Sequence, residues 1–231
     1  KLIEYAEIHG IDYNNSSIKG AICIGESLRN QDFSMNTLSK KITEKWNIKL
    51  FSTYASTEMS TAFTECEHGL GGHHHPELII VEVLDEENNP VKNGEIGELT
   101  FTTLGIEAMP LLRFKTGDIV QLHNEPCACG RNTVRVGPVV GRKKQMIKYK
   151  GTTLYPPAMN DVLSDFDNIE NHIIEISTND LGTDEILIKI AVKNQTPEFL
   201  QEIKDHFRAK LRVTPKIEFT SKEILNPLVF N

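Results

Sequence analysis

The sequence predicts a protein of mixed α/β and α+β class in three parts. These are the tail of a βαβ parallel-sheet subdomain, a small antiparallel β subdomain and a carboxy-terminal small α+β domain. Three observations predict it. An apolar strand, an amphipathic helix and a second strand follow one another within residues 1–65. Short apolar runs separated by turn signals fill residues 75–140. From 144 to 231, helices and strands alternate at the spacing of a two-layer domain. The expected boundaries are therefore 1–143, with the βαβ unit at 1–65 and the β-rich part at 75–140, and 144–231.

In chain order, residues 1–9 carry a helical pattern that Gly10 stops. Ile18 to Ile24 is an apolar run that reads as a buried strand, with Cys23 inside it as a small hydrophobe. Residues 34–46 set Met35, Leu38, Ile42 and Trp46 at helical spacing, and Lys49 to Tyr54 reads as the next strand. In a parallel sheet, ligands bind at the carboxy ends of the strands, where Gly25-Glu26 and Tyr54 to Glu58 fall. Leu78 to Leu84, Gly97 to Thr103 and Asp118 to Leu122 then suggest an antiparallel sheet or small barrel. Beyond residue 144 the pattern gives a hairpin around Tyr149-Lys150-Gly151-Thr152 and a helix near 157–166. Strands at 172–177 and 185–193, a helix near 197–210 and a strand at 215–220 complete it.

Composition excludes several classes of function. The net charge is −7, from 25 basic and 32 acidic residues in 231, and no basic run is long enough for a nucleic-acid patch. No stretch of apolar residues is long enough to span a membrane, and no signal peptide is visible, so a cytoplasmic protein is expected.

The sharpest local signal is Cys127-Ala128-Cys129-Gly130, a knuckle that points two thiolates the same way. With Cys66 and His73 upstream it supplies a Cys3His set for a closed, structural zinc site. His68, His74 and His75 remain alternatives for the fourth ligand. A second segment is Tyr54-Ala55-Ser56-Thr57-Glu58, with an aromatic ring for a purine, a hydroxyl for a phosphate and a carboxylate for Mg²⁺. In Arg113-Phe114-Lys115-Thr116-Gly117-Asp118, the Asp after a Gly turn can accept both ribose hydroxyls. In Gly141-Arg142-Lys143-Lys144, an Arg beside a Gly suits ribose or phosphate contact and the charged pair suits a hinge. Taken singly, each of these segments also reads as a solvated loop or a basic surface run.

Their order resembles three signature segments of the adenylate-forming superfamily, which includes acyl-CoA synthetases. Gly25-Glu26-Ser27-Leu28 is similar to its Gly-Glu-Pro turn, with Ser in place of Pro. The Cys66…Gly71-x-His73 segment, Thr102-Thr103-Leu104…Glu107-Ala108-Met109-Pro110-Leu111 and Cys129-Gly130-Arg131-Asn132-Thr133 resemble the phenylacetate-CoA ligase branch. The resemblance implies an ATP-dependent, AMP-forming ligase that joins an aryl or acyl carboxylate to coenzyme A. It implies that Gly25, Glu26 and Tyr54 frame the adenine, with Ala55 and Ser56 also among the cofactor-binding residues. Thr57 would contact a phosphate, Glu58 would hold Mg²⁺, Asp118 would bind the ribose and Arg142 would help hold the nucleotide. Lys144 would sit at a hinge and Gly151 where the pantetheine of CoA enters. By the same likeness, 1–143 is the carboxy-terminal part of the large domain and 144–231 the small mobile one.

Two departures accompany the resemblance. Lys143-Lys144-Gln145 stand where the family carries acidic hinge residues. No Ser/Thr/Gly-rich phosphate loop precedes the βαβ unit, and no Lys matches the family's catalytic Lys near the end of the small domain. A fragment that is inactive alone, partnered by an amino-terminal part of the same enzyme, is the expectation. Competing readings are an adenylate former with an acceptor other than CoA, and a non-catalytic zinc-stapled nucleotide-binding module.

Overall fold

The structure, a computed structural model, describes residues 2–179 and 184–229. Lys1 of the predicted first helix and the final residues Phe230 and Asn231 lie outside that range. The chain divides into two compact units, Lys1–Lys143 and Lys144–Asn231.

In the first unit, α1 (Leu2–Ile8) precedes β1 (Gly20–Ile24), α2 (Thr37–Lys45) and β2 (Lys49–Ala55). The strands β3 (Ala62–Thr64), β4 (Gly72–His73), β5 (Ile79–Leu84), β6 (Ile96–Thr103) and β7 (Phe114–His123) follow. The short β8 (Arg135–Val136) and β9 (Gly141–Arg142) close the unit. β1 and β2 pair in parallel, Ile24 beside Thr53, so Gly25 and Tyr54 leave adjacent strands at the same level. Asn36 caps α2 by accepting the Ser39 N–H at 3.0 Å, and Ile42 and Trp46 pack on Leu28, Ile48 and Leu50. Leu38, expected on the inner stripe, is exposed. Ser39 takes the inner place because its hydroxyl donates to the Leu28 carbonyl at 2.7 Å, drawing the β1 exit loop onto the helix.

One expectation is corrected here. The run Ile18 to Ile24 is not buried on both faces: Cys23 points inward, while Ile22 and Ile24 are 71% and 63% exposed. β1 is an edge strand, and alternation turns its second face outward. Of the sheet or small barrel suggested for the antiparallel part, the strands form the sheet, continuous with β1 and β2, and not a barrel. A single hydrogen-bonded path runs β1-β2-β3-β4-β8-β7-β6-β5, with β9 on β7. The two-residue strands β4 and β8 make that join, and they are too short to show a period in sequence. Met59, Phe63, Ile79, Val83, Leu99, Phe101, Val120 and Val136 form the core beneath it.

The second unit begins with the hairpin β10 (Ile147–Tyr149) and β11 (Thr152–Leu154). Its turn residues Lys150 and Gly151 have φ of 48° and 80°, the signature of a type I′ turn. α3 (Pro156–Ser164) and α4 (Pro197–Leu211) flank a sheet of β12 (Ile169–Thr178), β13 (Asp184–Val192) and β14 (Lys216–Thr220), and α5 (Lys222–Val229) follows. Ile188, Ile190, Ile203, Phe207, Met159 and Leu163 are among its fully buried core residues. Among the described residues no helix is long and apolar enough to cross a membrane.

Candidate nucleotide site and metal centre

Asp118 owes its position to an irregularity in β7. Glu98 pairs with Ile119 and Thr100 with Lys115, so Leu99 alone faces Thr116, Gly117 and Asp118. Gly117 takes φ of 77°, which an L side chain rarely adopts, and the Thr116 hydroxyl accepts the Asp118 N–H at 3.0 Å. The bulge re-aims the Asp118 carboxylate. β9 then lays Arg142 directly opposite it, with Nε 3.2 Å from Oδ1. From the end of β2, the Tyr54 hydroxyl donates to Asp118 Oδ2 at 2.7 Å. Burial first, and the adjacent Asp118 carboxylate second, hold the Tyr54 phenol well above the ordinary tyrosine range. The Tyr54 ring also stacks on Phe63, centroids 5.9 Å apart.

Beyond Tyr54 and Ala55 the chain turns over Thr57 to Ser60, with Ser60 at φ of 56°. Ser56 accepts the Met59 N–H. Thr57 and Glu58 are exposed. The Glu58 carboxyl is held below its usual range by its own backbone N–H and the Ser56 hydroxyl, with the Arg142 charge adding to both. Asp118 thus touches both Tyr54 and Arg142, and Glu58 lies near enough to Arg142 to feel its charge. Gly25, at φ of 90°, and Glu26 are exposed at the exit of β1, beside the exit of β2. In the second unit Lys144 is exposed in a 3₁₀ turn (Lys143–Gln145), and Gly151 occupies the hairpin turn.

Cys66, His73, Cys127 and Cys129 bring their ligand atoms within 4.8 Å of one another. Cys66 Sγ lies 3.6 Å from Cys127 Sγ, and Cys129 Sγ lies 3.5 Å from His73 Nε2. Zinc–sulfur and zinc–nitrogen bonds in a tetrahedron set such edges at about 3.8 Å and about 3.5 Å, so the donor set fits. Thr133 Oγ1 lies 3.2 Å from His73 Nδ1, a partner that fixes which ring nitrogen faces the thiols. Hydrogen bonds from Arg131, backbone first and guanidinium second, bring the Cys129 thiol down to about 7. Burial pushes the Cys66 thiol up. The other histidines turn elsewhere: His68 towards Glu67, His74 onto the Ile79 carbonyl and His75 onto Glu77. Gly72 lets β4 approach β3, since a Cβ there would meet the Phe63 backbone at 2.6 Å.

Sequence reasoning missed Thr133 as a partner of His73, the Tyr54–Asp118 bond, and the ion pair between Arg29 and Glu65 beside Cys66. None has a local signature; each joins residues far apart in the chain.

No protein-family model matches the chain. It is 34% identical over 170 residues to the phenylacetate-coenzyme A ligase of Thermus thermophilus, covering 72% of this chain and 38% of that protein. It is 28% identical over 125 residues to that of Escherichia coli, covering 54% of this chain and 27% of the relative. Among solved structures it is similar to a 2-hydroxyisobutyryl-CoA ligase in complex with 2-HIB-AMP, with a TM-score of 0.78 and 24% identity. That match covers 95% of this chain and 48% of the other. A benzoate CoA ligase from Burkholderia xenovorans matches at a TM-score of 0.62 and 18% identity, covering 90% and 43%. The chain therefore has the fold of adenylate-forming ligases. Its curated homologues are phenylacetate-coenzyme A ligases, and it spans less than two fifths of the Thermus protein's length.

Proposed function

We propose that this chain is part of an ATP-dependent, AMP-forming acid–thiol ligase that joins an aryl or acyl carboxylate, phenylacetate-like, to coenzyme A. The observation that carries the reading is the meeting of Tyr54 and Arg142 on Asp118, with Glu58 within reach of the Arg142 charge, at the sheet end where β1 and β2 exit. In the reaction, the substrate carboxylate attacks the α-phosphate of ATP and releases pyrophosphate. The CoA thiol then displaces AMP from the acyl-adenylate. Neither half needs a covalent nucleophile from the protein, so the side chains act by holding and orienting charge.

In this reading Gly25, Glu26 and Tyr54 frame the adenine, Ala55 and Ser56 also bind the cofactor, and Asp118 accepts the ribose hydroxyls. Both Asp118 oxygens are engaged, by Tyr54 and Arg142, yet a carboxylate offers about four lone-pair sites and keeps room for ribose. Arg142 orients that carboxylate and helps hold the nucleotide. Thr57 contacts a phosphate. Glu58, ionised below the usual carboxylate range, is suited to hold Mg²⁺, which supplies charge neutralisation on the phosphates. Residues 1–143 are the carboxy-terminal part of the large domain and 144–231 the small mobile one, with Lys144 at the hinge and Gly151 at the pantetheine entrance. Cys66, His73, Cys127 and Cys129 hold a structural zinc ion, closed to substrate.

The remaining partner is the amino-terminal part of the same enzyme, carrying the triphosphate-gripping loop, in the cytoplasm. The partial coverage of the relatives and the outward apolar face of β1 support this. Titrating the chain with AMP and with an acyl-adenylate tests the reading. Binding is expected; no affinity for either at millimolar concentration overturns the reading. A product assay on the complete parent separates CoA from other acceptors.

A further inference from the structure

Glu65 is a buried carboxylate, its side chain 3% exposed, immediately before the metal-centre residue Cys66. The Arg29 guanidinium donates to it through two nitrogens: Nε at 3.2 Å and 3.3 Å from the two carboxylate oxygens, and Nη2 at 3.2 Å from Oε2. Oε2 also accepts the Ser52 N–H at 3.0 Å, within β2 and two residues before Tyr54. On its other face the guanidinium lies against Gly69, where a Cβ would overlap it. One ion pair thus joins the β1 exit loop, strand β2 and the Cys66–His73 loop.

The exit loop that carries Gly25 and Glu26 is anchored on α2 by hydrogen bonds: the Leu28 carbonyl is held by Ser39, and the Ser27 carbonyl accepts from Asn36 at 2.6 Å. Leu28 also packs in the cluster of Ile48 and Leu50, an apolar contact with β2. Arg29 adds the charged tie across to β2 and β3, the strands that present Tyr54 and Phe63. A carboxylate and a guanidinium held by several charge-assisted hydrogen bonds, out of water, fix distance and angle more stiffly than apolar packing does.

We propose that Arg29 and Glu65 are positioning residues that set the gap between the Gly25–Glu26 wall and the Tyr54 wall of the nucleotide site. Neither touches the nucleotide; they act through the loop. The inference rests on the nucleotide reading of that site.

The test uses the zinc-loaded 231-residue chain, with AMP as the probe. Glu65→Gln keeps an acceptor for Ser52 but removes the charge facing Arg29. It should weaken AMP binding by about tenfold, the size expected for losing a charge-assisted hydrogen bond, with zinc content unchanged. Arg29→Lys, which keeps the cation, should lose less. Amide exchange should quicken at residues 25–30 in Glu65→Gln and stay unchanged in β6. AMP affinity within twofold of wild type, or unchanged exchange at 25–30, overturns the proposal. If Glu65→Gln does not fold, the double variant Arg29→Met/Glu65→Leu replaces the pair with apolar side chains. Wild-type affinity in that variant overturns the proposal equally. Failure of the wild-type chain to bind AMP sinks the nucleotide reading itself, a separate outcome from unchanged affinity in the variants.

Discussion

Asp118 and Arg142 face each other across the two-rung ladder of β7 and β9, with the guanidinium Nε 3.2 Å from the carboxylate Oδ1. Arg142 is the last residue of β9 and is followed within two positions by the boundary between the compact units. The same carboxylate takes the Tyr54 hydroxyl on its other oxygen, so β2, β7 and β9 are cross-linked through one side chain.

Asp118→Ala removes that link. In a complete parent enzyme, adenylation should fall to background in a pyrophosphate-release assay. In this chain AMP affinity should fall by about tenfold or more, as for loss of a charged hydrogen-bond acceptor. Adenylation near the wild-type rate would refute the assignment of Asp118 to the ribose.

The Tyr54 phenol is predicted to ionise above the ordinary tyrosine range in an alkaline absorbance titration. Its folded pKa is raised, so its contribution to stability is complete below the unfolded tyrosine value and is lost as the pH climbs towards the folded one. Asp118→Asn should lower the pH at which Tyr54 ionises, because a neutral amide no longer opposes the phenolate. An unaltered titration would mean the carboxylate does not govern this phenol.

Metal analysis of the purified chain is expected to give about one equivalent of zinc, since four ligand atoms lie within 4.8 Å of one another, enough for one closed shell. Cys129→Ser should lower the thermal midpoint sharply, since structural zinc binding is worth about 10–16 kcal/mol in small metal-folded domains. A metal-free chain of equal stability removes the centre from the account.

Gly72→Ala probes the same centre from the backbone. The added methyl would press on the Phe63 carbonyl at 2.6 Å and push β4, with His73, away from β3. Zinc content should drop and stability should fall by about 1–3 kcal/mol, as for overpacking a tight site. Full zinc occupancy would show that the Cys66–His73 loop tolerates the shift.

Lys144→Pro, in a complete parent, should slow the thioester half-reaction more than adenylation, because proline restricts both its own φ and the residue before it. Equal losses in the two half-reactions would place the hinge elsewhere.

Much of this protein was written in local chemistry. Periodicity located β2, α2, β5, β6 and α4; Lys150-Gly151 marked its own turn; and the cysteines and His73 announced a cluster whose ligand atoms come together. Those features depend on residues a few positions apart, so the sequence by itself determined them. Only the tertiary structure decided the rest. It chose His73 over His68, His74 and His75, turned Ile22 and Ile24 outward, and joined the parallel and antiparallel parts through β4 and β8. It also set Arg29 on Glu65 and Tyr54 on Asp118, 36 and 64 residues apart. Such pairings arise when separate segments must satisfy buried polar groups together, and two-residue strands or single side chains leave no period to read.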